Sequence, residues 1–233
     1  MGSLEDKAAL VTGGSRGIGA AVAGKLAALG ARVAVTYQNT KPDNGFAIRA
    51  DSADPDAVVA AVEETAVHFG RIDVLVNNAA VFQVGPLEDL GAAEFDHTMA
   101  VNVRAPYLAA RAAARHMGQG GRIISIGSNV AVHAPFPGFA LYSASKTALI
   151  GMSKGLARDL GPRGITVNVV NPGPTDTDLN PADGPMAEQI RGLTALGRYG
   201  EPEEIAAVVA ALAGEAGAYV TGASINVDGG FTV

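Results

Sequence analysis

The feature that most restricts the fold of this chain is an alternation. Short apolar runs that suit strands buried on both faces lie at 8–11, 33–36, 46–48, 74–76, 123–126, 165–170 and 224–227. Stretches with helical spacing or high alanine content lie between most of them, at 18–29, 55–69, 94–117, 142–160 and 202–213. Pro55 after Asp54 and Pro202 after Glu201 mark two helix starts, because proline suits the first helical turn. Strands alternating with helices imply βαβ units and a parallel sheet with both faces covered. Right-handed crossovers then favour a doubly wound, Rossmann-type α/β sheet of about seven strands in one domain spanning 1–233.

Two intervals depart from the alternation. Between Tyr37 and Asp51 a crossover helix is due, yet Gln38 to Gly45 reads Q-N-T-K-P-D-N-G, too short and too rich in turn residues. Either the chain makes a tight connection there or it lacks a helix. The segment from Asn171 to Gly184 holds Pro172, Pro174 and Pro181 and reads as a long loop of the kind that covers ligands on α/β scaffolds.

Composition narrows the function classes. Seventeen Lys and Arg against 23 Asp and Glu give a net charge of −6 over 233 residues, which argues against a nucleic-acid polymer as partner. No cysteine is present, so disulfides, thiolate nucleophiles and cysteine-based zinc sites are excluded. The histidines His68, His97, His116 and His133 lack metal-ligand spacing, and no metal is expected. No apolar run is long enough to span a membrane, and Glu5, Asp6 and Lys7 near the start do not fit a signal peptide. A cytoplasmic location is the expectation.

Chemistry concentrates in a few motifs. Thr12-Gly13-Gly14-Ser15-Arg16-Gly17-Ile18-Gly19 follows the first strand and opens the first helix. Glycines there let the backbone approach a pyrophosphate, whose charge the helix N-terminus favours. The turn is not a P-loop, because no Gly-Lys-Ser/Thr follows. Tyr142-Ser143-Ala144-Ser145-Lys146 puts a phenol and an ammonium one helical turn apart. A nearby cation should lower the phenol's pKa and make it a proton donor or acceptor near neutral pH. Ser128, at the end of the fifth strand, could polarise a carbonyl beside that phenol, and Asn102, Asn77 and Asn78 fall near the ends of other elements.

Taken in order, these residues make the chain resemble the short-chain dehydrogenase/reductase family. The likeness runs from Lys7 to Gly230, through the glycine turn, Asn77-Asn78-Ala79-Ala80, Asn102, Ser128, Tyr142 with Lys146, Asn171-Pro172-Gly173 leading to Thr177, and Val227-Asp228-Gly229-Gly230. It implies hydride transfer between a nicotinamide cofactor and a ketone, aldehyde or secondary alcohol. Tyr142 would be the general acid or base. Lys146 would lower its pKa and bind the nicotinamide ribose, Ser128 would hold the substrate oxygen, and Asn102 would anchor a relay water. Gly13, Ser15, Arg16, Gly17, Ile18 and Gly19 would surround the pyrophosphate. Tyr37 and Asp51 would border the adenosine together with Asn78 and Ala79, and Pro172, Gly173, Thr175 and Thr177 would hold the nicotinamide.

Two departures touch the site: Ala80 stands where the family has glycine, and Ser128 lies fourteen residues before Tyr142 instead of thirteen. Family members that use NAD generally end the second strand in an acid, whereas here Tyr37, Gln38 and Asn39 follow one another, with Arg16 and Lys41 nearby. NADP(H) is therefore expected over NAD(H). Pro135, Phe136, Phe139 and Leu141, with Val81 and Phe82, read either as an apolar pocket wall or as loop packing. A homotetramer or homodimer is expected through the closing helix and last strand. Within the family the chain is particularly similar to small bacterial members described as cyclic-di-GMP-binding biofilm-dispersal proteins. It shares with them the runs 161–166 and 180–186, and this makes a signalling-nucleotide binder the rival reading.

Overall fold

A computed structural model describes residues 3–42 and 45–233. Seven parallel strands form one sheet in the order β3-β2-β1-β4-β5-β6-β7. They are β1 (Ala8–Val11), β2 (Arg32–Tyr37), β3 (Phe46–Arg49), β4 (Val74–Asn77), β5 (Arg122–Ile126), β6 (Thr166–Pro172) and β7 (Ser224–Val227). The helices are α1 (Gly17–Ala28), α2 (Pro55–Phe69), α3 (Ala92–Met99), α4 (Ala105–His116), α5 (Ala140–Leu160), α6 (Ala187–Arg191) and α7 (Pro202–Ala213). The order reverses between β1 and β4, and in such sheets ligands bind beyond the carboxyl ends of the strands at that point.

The central strands are apolar on both faces because both faces are covered. Ala9 and Val11, Val74 and Val76, and Ile124 and Ile126 pack with Val22 and Leu26 of α1 and Ile205 and Val209 of α7. The intervening Leu10, Leu75 and Ile123 point the other way, onto Val58 and Val62 of α2 and the alanine face of α4. Small side chains at Ala109, Ala110, Ala112 and Ala113 let α4 lie close to its neighbours.

β2 and β3 are parallel neighbours with Tyr37 beside Arg49, and among the described residues no helix joins them. The connection is tight. A four-residue β3 requires a return of only about 10 Å along the strands and about 5 Å across, and residues 38–45 reach roughly 25 Å when extended. Asp43 and Asn44 of this link lie outside the described residues. The expected single helix over 94–117 is instead α3 and α4 joined by a π-helical turn at Ala100–Arg104. Pro106 explains the break: it has no N–H to offer the carbonyl four residues back, that of Asn102. The region after β6 is irregular as expected, ending in the short α6.

Candidate active site

The glycine turn is held by hydroxyls. Thr12 Oγ1 accepts hydrogen bonds from the backbone N–H groups of Asn78 (3.0 Å) and Ala79 (3.1 Å). Thr36 Oγ1 accepts from Gly13 N–H at 2.9 Å. Gly13 adopts a positive φ of 63°, and a Cβ there would lie 2.9 Å from Ala79 Cα, so both conformation and space require glycine. The first turn of α1 has no side-chain cap and no acid, and Arg16 precedes it. Its free N–H groups and positive macrodipole end therefore face the cleft, an arrangement that suits an anion.

Around Tyr142 three elements meet. Ser128 lines the cleft beside Tyr142, its Oγ donating to Asn129 Oδ1 and accepting from Val130 N–H, both at 3.3 Å. The loop between Ser128 and Tyr142 begins with a 3-10 turn at Asn129–Ala131. Lys146 is buried; its Nζ donates to Ile126 O at 2.9 Å and stands 5.7 Å from the Tyr142 ring centroid. The expectation that this cation depresses the phenol is corrected: burial dominates and pushes Tyr142 up to about 12, with the Ser128 side chain acting the other way. Burial likewise lowers Lys146 to about 8, because the charged ammonium is the form desolvation penalises. A phenol that keeps its proton at neutral pH is suited to donating it to a carbonyl oxygen.

Asn102 sits in the π turn and does not line the cleft. Its Oδ1 accepts from Val81 N–H (2.9 Å), while Nδ2 donates to Val81 O and Ser145 Oγ, both at 3.0 Å. Ser145 Oγ in turn donates to Tyr142 O at 2.7 Å, so Asn102 positions the tyrosine's backbone through one hydroxyl. Asn78 lines the cleft, but its amide is spent on the glycine turn, donating to Thr12 O (3.0 Å) and Gly13 O (2.9 Å).

Beyond β6, Gly173 passes so close to the end of β7 that a Cβ would lie 2.5 Å from Asp228 Cα. This is the structural content of the Asn171-Pro172-Gly173 and Val227-Asp228-Gly229-Gly230 pairing. Thr175 Oγ1 donates back to Gly173 O at 3.0 Å, bending the chain over the cleft.

A cleft of about 730 Å³ connects these parts. It is lined by Gly13, Ser15, Arg16, Gly17, Ile18, Gly19, Tyr37, Asp51, Asn78, Ala79, Ser128, Tyr142, Lys146, Pro172, Gly173, Thr175 and Thr177, which is every sequence-predicted site residue except Asn102. Lys41 is exposed and outside the lining, as is His133. Val81, Phe82, Pro135, Phe136 and Phe139 line the cleft, whereas Leu141 is buried in the interior. Sequence reasoning missed Thr36, Ser145 and Phe231. The first two follow from local position, a hydroxyl at a strand end and one inside the tyrosine motif; nothing local marks Phe231, which the C-terminal segment brings in.

Residues 13–232 match a protein-family model described as Enoyl-(Acyl carrier protein) reductase. The chain belongs to the short-chain dehydrogenase/reductase family. Among similar proteins, the Cyclic-di-GMP-binding biofilm dispersal mediator protein of Escherichia coli is 46% identical, covering 99% of both chains. A short chain dehydrogenase from Burkholderia cenocepacia, solved in complex with NADP, is 51% identical with a TM-score of 0.96 and covers 99% of both chains. BdcA, solved in complex with NADPH, is 46% identical with a TM-score of 0.93, covering 97% of this chain and 95% of its own. Family membership makes the protein an oxidoreductase of the nicotinamide-dependent kind. No helix among the described residues is long and apolar enough to cross a membrane.

Proposed function

We propose that this protein is an NADP(H)-dependent reductase of ketones or aldehydes, or the corresponding alcohol dehydrogenase, with Tyr142 as general acid and base. The observation that carries the reading is that Ser128, Tyr142 and buried Lys146 line the same cleft as the uncapped glycine turn. The glycine cradle that a Cβ would fill and the free N–H groups of α1 fit a dinucleotide pyrophosphate. Pro172, Gly173, Thr175 and Thr177 would hold the nicotinamide end. When bound, the cofactor supplies or accepts the hydride at the substrate carbon.

The chain's own residues do the rest. Ser128 Oγ and the Tyr142 hydroxyl converge on one substrate oxygen, polarising it and fixing its orientation. In reduction Tyr142 gives its proton to that oxygen, and in oxidation it takes the proton back. Lys146 sets a positive field behind the phenol, and Asn102 holds the tyrosine's helix turn in place. NADP(H) is favoured over NAD(H) because no acid ends β2: Tyr37, Gln38, Asn39 and Thr40 line the cleft there, and Arg16 lines it too. The two relatives solved with NADP and NADPH support this choice.

An NADPH-oxidation screen over ketones, aldehydes, β-keto esters and quinones tests the reading, with Tyr142→Phe as control. Loss of the general acid should lower turnover by about 10²–10⁴-fold while NADPH binding, read by its fluorescence, persists. Turnover near wild type in that variant refutes the mechanism. A second reading, binding of cyclic-di-GMP, is supported by the name of the Escherichia coli relative. Calorimetric titration decides it: no heat at micromolar dinucleotide removes it. Assembly into a homodimer or homotetramer is supported by the half-exposed edge strand β7 and by Tyr107 exposed on α4, and light scattering after gel filtration measures it.

A further inference from the structure

We infer that the substrate is an uncharged carbonyl compound bearing an aromatic ring, and that Phe82 selects it. This rests on the reductase reading and adds the class of molecule. Phe82, just after β4, is 50% exposed although it is a large apolar side chain, and it lines the cleft. Its ring meets that of Tyr142 at 4.9 Å and 83°, and that of Phe139 at 6.0 Å and 68°, both edge-to-face. Phe136 continues the wall at 6.2 Å from Phe139. Leu179 and Ile190 add apolar surface from the segment after β6.

Phe82, edge-to-face with the proton donor and with Phe139, and half exposed, leaves ring surface open to the cleft beside the Tyr142 hydroxyl. A planar ring attached to the carbonyl can form there the same edge-to-face contacts that the side chains form with each other, a gain a saturated ring of equal bulk does not share. The charges point to a neutral molecule. Among the described residues lining the cleft, the Lys and Arg side chains are Arg16, at the glycine turn, and Lys146, which is buried and committed to Ile126 O. The acid nearest the apolar segment is Asp178, and His97 and Asp51 are the other titratable groups facing the cleft besides Tyr37 and Tyr142. A substrate carboxylate or phosphate at the Phe82 end would find no lysine or arginine to replace its lost water.

The test compares acetophenone, cyclohexyl methyl ketone and 4-carboxyacetophenone in wild type, Phe82→Leu and Phe139→Leu. Two readouts are used: NADPH oxidation, and ligand binding to the NADP-loaded protein by saturation-transfer NMR. Acetophenone should bind about three- to tenfold more tightly than its saturated counterpart, a preference that shrinks in Phe82→Leu mainly through KM. The carboxylated ketone should be at least tenfold poorer. Equal binding of the aromatic and saturated ketones, or a carboxylated ketone as good as acetophenone, overturns the inference and leaves the reductase reading intact. Selective ring binding with no NADPH oxidation for any carbonyl overturns the reductase reading and leaves the aromatic pocket standing.

Discussion

Lys146 holds a positive charge in the interior at a measurable cost to the ligand-free protein. It is 3% exposed, and burial lowers its pKa from 10.5 to about 8. That drop corresponds to about 3 kcal/mol at 1.36 kcal/mol per pKa unit. The sign follows from proton counting. Below about pH 8 the folded and unfolded chains both carry the proton, and the full penalty applies. Between about 8 and 10.5 the unfolded chain still binds a proton that the folded one has released, so stability rises with pH. Lys146→Met keeps the apolar stem and removes the titrating group. It also loses the donor to Ile126 O, which offsets roughly 1.5–3 kcal/mol of the gain at neutral pH. The sharper quantity is therefore the difference between the two proteins as pH changes. Urea unfolding of ligand-free protein from pH 7 to 10.5 should show wild type gaining about 3 kcal/mol on the variant. Tyr142, raised to about 12, is present in both proteins and cancels. Parallel stability curves across that window would refute the claim that the ammonium is held against its solvation.

Two further outcomes follow from the site. Arg16→Ala should weaken NADPH by about 10- to 100-fold, the worth of a charged hydrogen bond, and leave NADH nearly unchanged; the ratio of kcat/KM for the two cofactors reads it, and an unchanged ratio excludes Arg16 as the selector. Thr12→Val strands two backbone donors, those of Asn78 and Ala79, and should lower unfolding stability by about 2–4 kcal/mol while NADPH binding weakens as well; a variant as stable as wild type shows that water replaces the hydroxyl.

The fold was legible because its signals are local. Ala8–Val11 and Val74–Asn77 are apolar on both faces only in a sheet with two covered sides, and Pro55 and Pro202 start helices where their fixed φ is welcome. Residues 38–45 left the path between β2 and β3 open, since turn residues state that no helix forms but not where the chain returns. Most of the site was also legible, because glycine turns and the tyrosine motif report backbone requirements. What could not be read was environment. The upward displacement of Tyr142 comes from its burial, with Phe82 packed against its ring, and no spacing encodes that. Phe82 and Phe139, distant in sequence, read equally as pocket wall or as loop packing, and only the fold decides for the wall.

The direct link between β2 and β3 separates two demands that a helical crossover would join. Gln38, Asn39, Thr40 and Lys41 are all exposed, and none contributes to the core. Gln38, Asn39 and Thr40, which line the cleft, can therefore be rewritten without disturbing packing, so if they border the cofactor as proposed, its preference is editable at little expense in stability.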